Sequence, residues 1–324
     1  MRFVRRPRRL WRAPRIVDAC IVFNELDLLE LRLNELWDVV DQFVVVEAPF
    51  TFAGRAKPCF VADAAARFAP YASKLSVHRF DGEMPPTIPI GDYEGRLAVE
   101  VAQRNAIGAA LLPLHLDRDD IVMVGDVDEL PRAELVARLP KLSRWHQFCV
   151  FVLHNHRGYV NNRSRAALNG VRFSGTVATR YETVAEIGAH RVRCDEGRAP
   201  AVDAAHDARW HSAENAGWHL SSVGGPAAFW TKAANFAHIE DPFRVVRLTA
   251  APVAIAVHDL ALTREQCRAA QELYVQHCDD ADFAPVTFDE FVVDVNLPRH
   301  VRMNKERYRG LFFFTDLISQ STVP

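Results

Sequence analysis

Four short apolar runs, Ile16–Phe23, Phe43–Val46, Leu75–Phe80 and Ile121–Val124, alternate with helical patterns over the first 140 residues. Between the first two lies ELDLLELRLNEL, with Leu26, Leu29, Leu33 and Leu36 at helical spacing and charges between them. A short helix is expected at Asp63–Phe68, and a longer one at Asp92–Ala110 that carries Glu100, Arg104 and Asn105. Strands that short, separated by helices, predict a doubly wound, mostly parallel α/β sheet with helices on both faces. Such sheets bind ligands at the carboxyl ends of their strands. Three of these ends carry polar or acidic groups: Asn24-Glu25, Glu47, and Asp126-Val127-Asp128-Glu129.

Beyond Pro140 the pattern loosens. Phe148–His154 reads as another strand, residues 155–215 show little periodicity, and a cleaner pattern resumes at Gly217. A helix is expected over 263–277, with Thr263 as its cap and Gln266 at the capping-box position. The loop GEMPPTIPIGD is rich in turn-forming residues and should be irregular. These patterns divide the chain into a basic arm (1–15), an α/β half (16–140), a less regular half of the same domain (141–260) and a helical extension (261–324).

At 324 residues and 49% hydrophobic content the chain has ample material for a buried core. A formal net charge of −2 gives no reason to expect a nucleic-acid partner. The first fifteen residues, however, carry seven Arg and no acid. They read as a solvated tail, and such an arm can also make peripheral contact with an anionic membrane. No stretch reaches the roughly 18–20 apolar residues of a spanning helix, and no apolar run follows the basic arm as in a secretory leader. The six cysteines are scattered without a C-x-x-C pair, which fits a reducing, cytoplasmic setting.

Asp126 and Asp128 carry the most chemistry. Two carboxylates one residue apart, delivered by an apolar strand, can turn toward one hard divalent cation such as Mn²⁺ or Mg²⁺. A nucleotide-sugar diphosphate needs such an ion, because negative charge builds on it as the glycosidic bond breaks. The same acids can instead cap the helix expected after Pro131. His219, in GWHLS, can complete a metal site or bond a phosphate oxygen, or pack half-buried beside Trp218. Arg104 can grip phosphate in a fork, and Glu47 can accept the N–H of a uracil ring; both also suit ordinary surface or loop roles. A carboxylate must take the proton of an attacking hydroxyl, and Glu129, Glu182, Asp207 and Glu214 are the candidates for that base.

Residues 23–58, FNELDLLELRLNELWDVVDQFVVVEAPFTFAGRAKP, resemble the opening of glycosyltransferase family 17. QRNAI at 103–107, IVMVGDVDELP at 121–131 and AGWHLSSVGG…WTKAANFAHIE at 216–240 agree in the same order. The resemblance implies a GT-A-like fold and an inverting mechanism. It also implies a UDP-sugar donor (N-acetylglucosamine as the sugar), a glycan-type acceptor and a Mn²⁺ or Mg²⁺ ion on Asp126 and Asp128. By analogy with GT-A enzymes, Asn24, Glu25 and Glu47 would face the nucleoside, Arg104 and Asn105 the donor, and His219 the diphosphate. Membrane-anchored animal members differ from this chain, in which no anchor is visible.

Other classes fit less well. A phosphohydrolase of the haloacid dehalogenase kind also sets D-x-D after a strand. Its motif opens the chain, though, and carries Thr or Val two residues beyond the second Asp, where Leu130 stands here. A nucleotidyltransferase wants a Gly-rich or basic loop after its first strand, and FNELDLL offers neither. A non-catalytic sugar- or nucleotide-binding protein remains the alternative to an enzyme.

Overall fold

The computed structural model describes residues 12–89, 91–157, 160, 173–196, 208–224, 231–232, 235–236 and 297–311. Residues 1–11 of the basic arm, Asp207 and the helix expected over 263–277 lie outside them. The strands are β1 (Ile16–Val22), β2 (Gln42–Glu47), β3 (Leu75–Arg79), β4 (Ile121–Asp126), β5 (Glu129–Pro131), β6 (Phe148–Arg157), β7 (Phe173–Arg180), β8 (Trp210–Ala213) and β9 (Gly217–Ser221). The helices used below are α1 (Leu26–Leu36), α2 (Phe60–Asp63), α3 (Ala65–Phe68), α4 (Tyr93–Asn105) and α5 (Ile107–Leu111). They are followed by α6 (Ala133–Val136), α7 (Leu139–Leu142), α8 (Tyr181–Ile187), α9 (Ala189–Arg191) and α10 (Arg299–Met303).

The expected α/β class with a mostly parallel sheet holds. Its strand order is β3-β2-β1-β4-β7-β6-β9-β5, with β8 also on β6. The first four strands in this order pair in parallel. β7 enters antiparallel beside β4 and leads to β6. Side-chain alternation explains the two-faced core. On β1, Ile16, Cys20 and Val22 point to one face, where they meet the leucines of α1. Val17, Ala19 and Ile21 point to the other, against Ile107, Ala110 and Leu111 of α5.

Two local findings refine the sequence reading. Helix α1 buries Leu28 and Leu31 as well as Leu29, Leu33 and Leu36, because the segment carrying α10 covers part of its outer face. Glu35 of α1 caps that segment, accepting from the backbone N–H of Arg299 (3.0 Å) and His300 (2.9 Å). The helix expected at Asp63–Phe68 begins earlier, as α2, and breaks at Ala64 before α3. No helix among the described residues is long and apolar enough to cross a membrane.

Strand β4 does not simply stop. After Asp126 the chain turns over two residues and continues as β5, which leaves the parallel sheet to pair antiparallel with β9. The contact is tight. Gly217 lies at φ +152°, and a Cβ there would sit 2.0 Å from the Leu130 carbonyl oxygen, so only glycine lets β9 press onto β5. Asp126-Val127-Asp128 is therefore the corner between two strands held in different directions. Neither aspartate caps the following helix: α6 starts after Arg132 and has no side-chain cap.

Candidate functional site

A cleft opens at the carboxyl ends of β1 and β4. Glu25, Lys57, Glu100, Arg104, Asp126 and Asp128 supply its charged groups on the sheet and helix side, with Lys232 facing them. Phe23, Phe50, Phe52 and Phe236 supply apolar walls. The rings of Phe52 and Phe236 lie 6.5 Å apart at 44°.

Helix α4 presents Glu100, Gln103 and Arg104 to this cleft, the spacing that puts three residues on one helical face. Asp92 caps its start by accepting from the Gly95 N–H at 2.9 Å. Arg104 is almost fully buried and donates from Nη2 to Asp126 Oδ1 (2.8 Å) and from Nη1 to Glu100 Oε1 (2.7 Å). Burial works to raise the Asp126 carboxyl, but the positive charges of Arg104 and Arg193 more than reverse this and hold it well below the usual range.

Asp128 is 4% exposed, and its Oδ2 accepts from Lys232 Nζ at 2.5 Å. His219 Nε2 lies 3.8 Å from the same oxygen. The imidazole stacks on Phe173, with ring centroids 3.8 Å apart, and burial pushes its pKa down to about 4, so it is neutral. Its Nδ1 is buried without a hydrogen-bond partner among the described residues. The arrangement leaves Asp126 Oδ2 and Asp128 Oδ1 without a protein partner among the described residues. One oxygen of each aspartate can thus ligate a cation. Two carboxylates suit a Mg²⁺- or Mn²⁺-type ion whose remaining positions are filled by phosphate and water.

The loop is braced from behind. Glu129 is buried, gripped through both oxygens by the Arg193 guanidinium, and accepts the Asp126 N–H at 3.1 Å. Arg32 of α1 donates from Nη1 to the carbonyls of Asp126 (3.1 Å) and Glu129 (2.6 Å). Its other nitrogens make a two-point pair with buried Asp18 at 2.6 and 2.7 Å.

The other expected site residues divide. Glu25 lines the cleft, its Oε2 accepting from the N–H groups of Phe23 (3.0 Å) and Asn24 (3.1 Å) and its Oε1 lying 3.8 Å from Lys232 Nζ. Asn24 adjoins it but is not part of the lining. Glu47 is fully buried and turned toward α2, where it accepts from the N–H groups of Val61 (2.8 Å) and Ala62 (3.2 Å). Asn105 faces α9 and accepts the His190 N–H at 3.0 Å. Glu182 pairs with Arg118 beside the opposite end of β4 from Asp126. Glu214 is exposed in the turn between β8 and β9, outside the lining. Lys57, Gln103, Arg193 and Lys232 were not among the expected site residues. Lys57, Gln103 and Lys232 fall inside the family-like blocks, which is the available signal.

Residues 5–159 match the sequence profile of glycosyltransferase family 17. The human β-1,4-mannosyl-glycoprotein 4-β-N-acetylglucosaminyltransferase is 30% identical over 133 residues, which is 40% of this chain and 24% of that protein. The Rattus norvegicus enzyme of the same name is also 30% identical over 133 residues, with the same coverage. The chain thus spans about a quarter of the length of the curated relatives it matches. A solved structure, the mannosyltransferase PcManGT from Pyrobaculum calidifontis in complex with GDP-Man and Mn²⁺, is 14% identical with a TM-score of 0.40. That match covers 85% of this chain and 82% of that one. The family match includes β1 to β4 and the aspartate corner, and stops before His219 and Lys232. Residues 5–159, just under half of the chain, thus resemble glycosyltransferase family 17 in sequence.

Proposed function

We propose that the chain is an inverting, metal-assisted glycosyltransferase. In this reading it moves N-acetylglucosamine from a UDP-sugar to a hydroxyl of a glycan-type acceptor. The observation that carries the reading is the aspartate corner: Asp126 and Asp128 stand at the carboxyl end of a central strand, border one cleft, and each keep an oxygen uncommitted among the described residues. The family 17 match over the same strand supports it.

Asp126 and Asp128 would hold Mn²⁺ or Mg²⁺, which supplies positive charge to a departing nucleoside diphosphate. The chain's own groups prepare that place. Arg104 fixes the direction of Asp126 before any ligand arrives, and Arg32 fixes the backbone beneath it. Such preorganisation matters because donors that need not reorient stabilise developing charge most effectively. Neutral His219 borders Asp128 without adding charge. Phe50, Phe52 and Phe236 give the cleft apolar walls against which a base can pack, with Glu25 toward the nucleoside. Glu47 and Asn105 serve the scaffold in this reading. The acceptor hydroxyl attacks the anomeric carbon and gives its proton to a carboxylate. The reading places the protein in the cytoplasm, with the basic arm available to a membrane surface.

The test is sugar transfer or hydrolysis with UDP-N-acetylglucosamine, run with Mn²⁺, with EDTA, and with Asp128→Ala. Loss of at least a hundredfold in rate is expected in the last two, the scale set by removing one charge-stabilising group. Undiminished rates in both would overturn the metal assignment. Tight UDP binding without turnover on any acceptor would instead identify a non-catalytic nucleotide-binding protein.

A further inference from the structure

We propose that Lys232 is a displaceable counter-cation of the aspartate corner, which leaves Asp128 for the donor diphosphate when a divalent ion takes its place. This inference rests on the reading above, that the cleft takes a metal ion and a nucleoside diphosphate.

The charges around the corner are held in two different ways. Arg104, Arg193 and Arg32 are buried and fixed by several bonds each. Lys232 is 20% exposed, borders the cleft, and among the described residues hydrogen-bonds Asp128 alone. Its ammonium is a compact charge on a flexible four-carbon stem, whereas the guanidinium groups sit in rigid forks. Asp128, at 4% exposure, requires a cation beside it, since a buried carboxylate left unpaired is strongly unfavourable. Lys232 meets that requirement in the protein alone.

A divalent ion bound to Asp128 meets the same requirement and repels the ammonium. Lys232 then needs another anion within reach of its stem. Glu25 Oε1, 3.8 Å from Nζ, is one, and a diphosphate in the cleft that both side chains line is the other. Glu25 is already at ion-pair distance before the metal arrives, so metal alone displaces Lys232 with little new compensation. Metal together with a diphosphate gives Lys232 a new partner. The two ligands bind with positive coupling, and by linkage each tightens the other equally.

The experiment titrates Mn²⁺ into the full chain, following the electron paramagnetic resonance of the free ion, with and without saturating UDP; GDP serves as a base control. It compares wild type with Lys232→Met and Lys232→Arg. Lys232→Met should bind Mn²⁺ alone about tenfold tighter, bind UDP in the presence of Mn²⁺ about tenfold more weakly, and lose the part of the coupling that direct metal–phosphate contact does not supply. Lys232→Arg, which keeps the charge, should restore weak Mn²⁺ binding and so separate the effect from misfolding. Unchanged or weaker Mn²⁺ binding by Lys232→Met, with the coupling intact, overturns the proposal. Wild type that binds neither Mn²⁺ nor either nucleotide overturns the functional reading itself.

Discussion

Arg104 on α4 and Asp126 at the end of β4 are joined at 2.8 Å, and the same guanidinium holds Glu100 at 2.7 Å. One side chain thus sets the angle at which the last residue of a central strand enters the cleft. Arg104→Ala would leave two carboxylates without their cation, a loss of about 3–5 kcal/mol for a broken buried pair. Arg104→Lys keeps the charge but cannot span both acids. Chemical denaturation should show most of the stability retained in the lysine variant, while its transfer rate falls about as far as that of the alanine variant. Full transfer activity in Arg104→Lys would show that the two-point grip does not matter.

The Asp18–Arg32 pair separates stability from site geometry. Arg32→Leu should cost about 3–5 kcal/mol, because it strands Asp18 in the core. The double variant Asp18→Leu/Arg32→Leu removes both charges and should recover most of that loss, as apolar replacement of a buried pair often does. It cannot restore the donors to the carbonyls of Asp126 and Glu129. Mn²⁺ affinity should therefore stay reduced in both. A double variant with wild-type stability and wild-type Mn²⁺ affinity would refute the bracing role of Arg32.

The parallel strands and the aspartate corner were legible because apolar runs bounded by charge have a local signature. Glu47 shows the limit of that logic. It ends a buried strand just as Asp126 does, yet the chain returns as α2, whose first amides need an acceptor, and Glu47 supplies it. Sequence position cannot distinguish a carboxylate facing a ligand from one facing a helix terminus. Strands β7 and β8 were missed for another reason. Each pairs with β6 across a separation in sequence, and both lie in the stretch 155–215 that shows little periodicity. Lys232 lies in a family-like block, but nothing in its local pattern marks it, and a lysine there reads as surface until the fold brings it to Asp128.

Acid should loosen the segment carrying α10 from α1 first. Glu30 accepts from Arg67 Nη2 (2.6 Å) and from Arg307, which belongs to that segment. Burial works to raise the Glu30 carboxyl, and these two guanidinium bonds outweigh it and lower it. A lowered folded pKa means stability that is fully present above the unfolded value, about 4.3, and is lost as pH falls through the folded one. Melting temperature should drop between about pH 5 and pH 3, roughly one unit either side of that value. Glu30→Gln should flatten this drop while lowering stability at pH 7. An equally steep acid limb in Glu30→Gln would assign it to other groups.

Gly125 precedes the corner for reasons of space. A Cβ at this position would lie 2.3 Å from Thr176 Oγ1 and 3.1 Å from Thr176 Cβ and Glu129 Oε2. Thr176 Oγ1 donates to the Glu129 carbonyl at 2.9 Å, so Gly125→Ala must push β7 away from the loop that positions both aspartates. Overpacking of this kind costs about 1–3 kcal/mol. Thr176→Ala alone should cost only about 1 kcal/mol, since Arg32 still donates to the Glu129 carbonyl. The closest clash is with the hydroxyl oxygen, so Gly125→Ala/Thr176→Ala should be more stable than the sum of the two single losses, a favourable coupling read from a double-mutant cycle. Strict additivity in that cycle would mean that the methyl group at 125 is accommodated elsewhere. The cleft would then be expected to keep its Mn²⁺ affinity in Gly125→Ala, which a direct titration can check.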